Sequence, residues 1–168
     1  KEHIHASGFR FIENKGQWPE NVLFYTQVEG GAIFFEKDRI TFSFYNTKQV
    51  HDILHFKYLE GHGRDNLLTP DPVIDCHAYC FHFRNHSEAC DVLPREMQST
   101  YFNYFKGNDP DKWAGNVKSY NSIVYVNLWE GIDLHFYGKD HQLKYDIIAN
   151  EPDDLSKVQF LISGAKNM

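Results

Sequence analysis

A chain of 168 residues is long enough to bury a core without disulfides or metals, and it is most economically a single domain. Its formal charge of -6 is spread over interspersed acids and bases, which leaves no basic stripe for a nucleic-acid backbone. No run of about 18 apolar residues offers a membrane span, and the 16% of aromatic residues, mostly Phe and Tyr, suits the pleated, half-buried surface of strands.

The opening KEHIHASGF is polar and has no charged-then-apolar leader. It reads as a mature or trimmed start, so the missing leader does not argue for the cytoplasm. FIENKGQWPEN then clusters Glu13, Asn14, Lys15 and Gln17 around Gly16. A ligand-binding cluster is one reading. The better one is a turn in which Gly16 supplies a positive φ, Asn14 or Gln17 satisfies loop backbone groups, and Trp18 and Pro19 dock the loop.

AIFFEKDRITFSFY alternates as two strands joined at Glu36-Lys37-Asp38, with Phe42 and Phe44 on one face of the second. HDILHFKYLEG and the loop HGRDNLLTPD follow, and no segment of a dozen residues carries a convincing period of about 3.6.

DCHAYCFHFRNHSEAC holds all 3 cysteines. As a strand it places Cys76, Ala78, Cys80 and His82 on one face and His77, Tyr79, Phe81 and Phe83 on the other, the core side. Cys76 and Cys80 then lie about 13 Å apart, too far for a shared tetrahedral zinc or a disulfide. A hairpin turning within Arg84-Asn85-His86-Ser87 would return Cys90 opposite residues 80 to 82. Unpaired cysteines, a Cys80–Cys90 disulfide and a Cys80/His82/Cys90 metal site all stay open, the plain strand being preferred.

In YFKGNDPDKW, Asp109 is placed to cap a short helical turn with Pro110 at its first position and Trp113 facing inward. The same oxygens could form a calcium loop, but the EF-hand spacing and its terminal Glu are missing. SIVYVNLWEG is a strand ending at Gly131. IDLHFYGKDHQLKYDIIA forms a second hairpin turning at Gly138-Lys139-Asp140, similar to the first. EPDDLSKVQFLISG leads through a loop or turn into a last strand over Lys157 to Ser163. The sum is an all-β domain, an antiparallel β-sandwich of about ten or more short strands with at most one or two short helical turns.

The ordered blocks ENKGQ, YFxGNDPxKW, GIDLxFYG and LxYDxI carry a resemblance that covers nearly the whole chain. The chain resembles the N-terminal domain that precedes SBBP-type β-propeller repeats in large secreted or surface proteins, especially of Bacteroidota. That resemblance implies an extracytoplasmic module, often followed by propeller or immunoglobulin-like domains and a type IX sorting tail. It supplies no reaction and no catalytic residues. It also implies that the chain, stopping near Ala165, is a domain excised from a longer protein, with the following domains as its partners.

Catalysis finds little support. Glu36, Asp38, Asp133 and Asp146 lie on or beside strands where two could approach as a carboxylate pair, but no G-x-S-x-G elbow, H-E-x-x-H helix, P-loop or G-x-G-x-x-G occurs. Ser7-Gly8 and Ser163-Gly164 lack a nucleophile context. Trp18, Trp113 and Trp129, with Tyr101 and Tyr104, could form a platform that stacks on sugar rings, so glycan binding is the first rival to a structural or interaction module. An exposed coplanar pair among them would favour it. No cofactor is implied.

Overall fold

A computed structural model of the protein describes residues 9–60, 73–105, 107–140 and 142–165. Among these, ten strands follow the chain. They are β1 (Phe11–Glu13), β2 (Val22–Val28), β3 (Gly31–Glu36), β4 (Arg39–Tyr45) and β5 (Cys76–Phe83), followed by β6 (Asp91–Tyr104), β7 (Ala114–Trp129), β8 (Ile132–Lys139), β9 (Gln142–Ala149) and β10 (Phe160–Ser163). One helix, α1 (Thr47–Glu60), joins β4 towards β5, and short 3-10 turns lie at Pro110–Lys112 and Pro152–Lys157.

Every strand pair is antiparallel, and both expected hairpins form. Phe35 pairs with Ile40 across the β3–β4 turn, and Lys139 pairs with Gln142 across the β8–β9 turn. The ladder runs β10-β5-β4-β3-β2-β1-β7-β8-β9, with β6 added to β7. β7 is the fork. Its Tyr120 is paired with Met97 of β6 and with Phe11 of β1, and its Ile123 with Pro94 of β6 and Phe136 of β8. One edge of β7 therefore carries β6, while the other carries β1 and then β8.

This connectivity corrects the sandwich expectation. The strands form one continuous sheet curled into a half-barrel, because β7 joins two arms that a sandwich would leave as separate sheets. The arms face each other across a shared core. Phe35 of β3 meets Phe136 of β8 at 5.3 Å, and Phe83 of β5 meets Tyr125 of β7 at 5.3 Å. The two similar hairpins thus lie on opposite walls. Tyr125 and Trp129 are fully buried, yet their polar tips are satisfied: the Tyr125 hydroxyl donates to the Glu36 carbonyl at 2.8 Å, and Trp129 Nε1 donates to the Arg84 carbonyl at 2.7 Å. Each such ring contributes about 2–3 kcal/mol by burial, and its hydrogen bond removes the cost of an orphaned donor.

Three further expectations are corrected. The stretch read as lacking a helix forms the 14-residue α1, started by Asn46, whose Oδ1 accepts from Gln49 N at 3.2 Å. The strand expected from Lys157 begins only at Phe160, since Pro152 onwards closes as a 3-10 turn. β5 and β6 are not a hairpin: both edges of β5 are taken by β4 and β10, so β6 crosses to β7. The loop read at 62–71 and the Ser7-Gly8 pair lie outside the described residues.

Candidate functional site

The five aromatic candidates do not converge on one platform, and only Trp18 and Tyr104 meet. Trp129 is 1% exposed and belongs to the core. Trp18 is half-buried, stacked on Tyr25 at 4.6 Å and met edge-on by Tyr104 at 5.4 Å, so it anchors its loop. Tyr101 is exposed, with Lys118 Nζ 5.9 Å from its ring centre. Trp113, expected to face inward, is instead 44% exposed. Its Nε1 donates to the Gly107 carbonyl at 3.3 Å, and Phe105 meets it at 67° between ring planes. This exposed pair is edge-to-face and does not make a flat platform. The Asp109 cap does form: its Oδ1 accepts from Asp111 N at 3.2 Å, with Pro110 leading the turn.

The cysteines are likewise dispersed, and all three are free thiols. Cys80 lies between Thr41 of β4 and Ser163 of β10, its Sγ 3.4 Å from Thr41 Oγ1. Cys90, 2% exposed, packs into the main core, where burial pushes its thiol up to about 11. The Cys80–Cys90 bridge weighed from the sequence is therefore absent, because the turn after β5 leads away from that strand. Among the described residues no group of three or more His, Cys, Asp and Glu side chains is placed to hold a metal ion.

The FIENKGQWPEN loop is held by its own side chains. Asn14 Nδ2 donates to the carbonyls of Trp18, Pro19 and Val22 at 3.2, 2.9 and 2.8 Å, and its Oδ1 accepts from Gly16 N and Trp18 N. Gln17 bridges Lys15 N and the Glu13 carbonyl, and Gly16 has φ of 106°. The turn reading of this loop describes what these side chains do.

The four carboxylates serve separate partners. Glu36, 4% exposed, accepts from Arg39, Thr41 and Asn21. Asp133 accepts from Asn127 N at 2.7 Å, Asp146 accepts from the Tyr137 hydroxyl at 3.2 Å, and Asp38 is exposed on its turn. Ser163 does find His82 Nε2 at 2.8 Å, a pair the sequence did not bring together. It lies exposed on the strand surface, and among the described residues no carboxylate orients the other imidazole nitrogen, as a hydrolytic triad needs.

Among the described residues, an apolar concavity lies apart from all of these candidates, where the half-barrel stays open. An apolar groove of about 410 Å³ runs between the arms, floored by Phe42, Tyr79 and Phe81 and walled by Tyr145 of β9 and Phe160 and Ile162 of β10. Phe42 and Tyr79 stack at 4.8 Å, with 9° between their planes. A wider depression of about 730 Å³ shares Phe44, Tyr79, Phe81 and Ile162 with it and acquires a polar lip from Asn46, Asp75 and His77. Tyr145 and Ile162 remain 56% and 53% exposed, so the groove is open to solvent although its walls are apolar. The sequence signal for it was the alternation itself. FSFY, AYCFHF, LKYDI and FLIS each place apolar residues on a shared face, more than the closed part of the core consumes.

An antiparallel half-barrel with an open apolar groove defines the class. The chain belongs to the family described as a domain of unknown function (DUF7948), whose model matches residues 11–168. No curated protein and no solved structure matches it.

Proposed function

We propose that this domain is a non-catalytic interaction module of a secreted or cell-surface protein, seated on its neighbouring domains through the apolar groove. The observation that carries the reading is the open sheet: its ladder ends at β9 and β10, and both ends wall the same groove. A large exposed apolar concavity is costly to leave in water and marks an interaction surface. The resemblance of the ENKGQ, YFxGNDPxKW and GIDLxFYG blocks supports the extracytoplasmic setting, ahead of SBBP-type propeller repeats in a bacterium of the Bacteroidota. Partners of this kind need no cofactor. The glycan-binding alternative keeps Tyr101 and Trp113 as its exposed rings, without the coplanar pair it requires.

The test compares the 168-residue chain with the parent polypeptide carrying its neighbouring domains. An apolar dye such as anilinonaphthalene sulfonate is expected to bind the chain at the groove and to be shut out in the parent. Equal dye binding per domain in both would sink the reading.

A further inference from the structure

The phase of the two terminal ladders shows what the groove is built to receive. Arg84 N donates to the Gln159 carbonyl at 2.9 Å, which makes residues 159 and 84 a hydrogen-bonded pair. Antiparallel ladders alternate such pairs with non-bonded ones. Leu161 with His82 and Ser163 with Cys80 are therefore bonded pairs, and the backbone groups of Phe160 and Ile162 point away from β5 to the edge that is free among the described residues. On β9, Asn150 N donates to the Gly131 carbonyl at 2.9 Å, and the same alternation turns the backbone groups of Leu143 and Tyr145 outward from β8. These four are also the residues of β9 and β10 whose side chains line the groove.

From this coincidence we infer that the groove seats a single extended strand of a neighbouring domain, which pairs with the free edge of β10 and drops alternate apolar side chains between β10 and β9. The inference rests on the interaction-module reading and names the chemistry of its partner. In such a pairing every second residue of the incoming strand both hydrogen-bonds Phe160 or Ile162 and faces the groove.

Charge complementarity points the same way. The groove lining carries no Asp, Glu, Lys or Arg, so the inserted face must be uncharged. β6, which like β9 and β10 has an edge left unpaired among the described residues, carries Pro94, Arg95 and Glu96 and is bulged, with φ of 55° at Glu96. Those are the devices that block edge pairing. β10, Phe-Leu-Ile-Ser, has none of them.

A second copy of the chain fits poorly. Pairing two 4-residue edges buries far less than the roughly 1,200 Å² of a stable interface. A tethered strand needs less area, because the tether raises its effective concentration. An acyl chain would fill the groove but leave the free edge without hydrogen bonds.

The experiment follows amide hydrogen exchange by NMR in the 168-residue chain, with a synthetic peptide that alternates Thr and Val between terminal Lys residues. The control is the same peptide with one inner Val replaced by Pro, which removes a ladder donor. With the alternating peptide at about ten times its Kd, exchange at Phe160 and Ile162 is expected to slow about tenfold, and the Pro peptide should leave it unchanged. Ile162→Lys should abolish the slowing. Leu161→Lys, on the same strand but outside the groove lining, should keep it.

Equal protection by both peptides, or none from the alternating one, overturns the inference, and the peptide comparison needs no variant to fold. Protection that rises with protein concentration alone identifies a second copy, and protection by decanoate but not by peptide identifies an acyl ligand; either result also overturns it. If neighbouring domains exclude the dye while the peptide fails, the module reading stands and the strand falls.

Discussion

Arg39 reaches back three residues to grip the buried carboxylate of Glu36, with Nε and Nη2 at 2.9 and 2.8 Å from Oε2. Burial by itself would raise the Glu36 pKa. The hydrogen bonds from Arg39, Asn21 and Thr41, together with the Arg39 charge, outweigh burial and hold it below the usual Glu range. This ion pair closes the β3–β4 turn beside the point where Tyr125 hydrogen-bonds the Glu36 carbonyl.

The pair predicts an acid dependence of stability. A carboxylate with a lowered folded pKa binds its proton more readily when unfolded, so its contribution is complete above the ordinary Glu value of about 4.3 and is lost as pH falls through the folded value. Glu36→Gln should cost about 2 kcal/mol at neutral pH and flatten the acid limb. Urea unfolding of both proteins between neutral and acidic pH measures this, and parallel curves would contradict it.

Asn14 uses three donor contacts and two acceptor contacts at once. Asn14→Asp keeps the shape and the acceptor but sets a charged oxygen against three carbonyls. A loss of about 2–3 kcal/mol is expected at neutral pH, shrinking in acid as the protonated carboxyl becomes a donor again. A deficit independent of pH would show that the donor contacts are not what holds the loop.

Two glycines should respond differently to alanine. A Cβ on Gly31 would lie 2.2 Å from the Ser43 carbonyl oxygen, which the β3–β4 ladder cannot move, so Gly31→Ala should cost about 3 kcal/mol. At Gly16 no atom beyond its chain neighbours lies within 4 Å of that position, and only the φ of 106° resists a side chain. Gly16→Ala should cost about 1 kcal/mol. Thermal melts of the two variants give the ranking, and the reverse order would refute it.

Thiol chemistry should follow the cysteine positions. Iodoacetamide should modify exposed Cys76 first and half-buried Cys80 more slowly, reaching Cys90 only through unfolding. Because burial raises the Cys90 thiol to about 11, the unfolded chain loses that proton first. The Cys90 contribution is therefore full below the free-thiol value of about 8.5 and declines as pH rises towards the folded value. Cys90→Ala should remove that alkaline slope. Peptide mapping after timed labelling checks the order, and rapid native labelling of Cys90 would disprove its burial.

The sequence made local pairing legible and distant pairing invisible. The β3–β4 and β8–β9 hairpins were readable because alternation and a Lys-Asp turn coincide in each. The Asn14 loop and the Asp109 cap were readable because their chemistry is confined to a few neighbouring residues. Helix α1 was missed because its apolar residues form no clear stripe, with Leu54 half exposed; the Asn46 cap was the available signal. The Cys80–Cys90 hairpin failed because nearness in sequence suggested a turn, while β4 and β10 had claimed both edges of β5. Trp113 was placed inward as part of the Asp109-capped turn, which fixes the backbone but not the face its ring takes, and the groove required knowing where the ladder ends.

The fork at β7 bears on how the chain is made. Phe11 pairs with Tyr120, so the first strand must wait for a partner more than a hundred residues later in synthesis. Until β7 leaves the ribosome, the hairpins built from β2 to β5 have only one wall, and their aromatic faces have nothing to close against. Loop closure over such a separation is slow, and an exposed sheet edge is prone to wrong pairings in the meantime. Truncation before β7 should leave a sticky, unfinished intermediate, since the fold is committed late, by its longest strand.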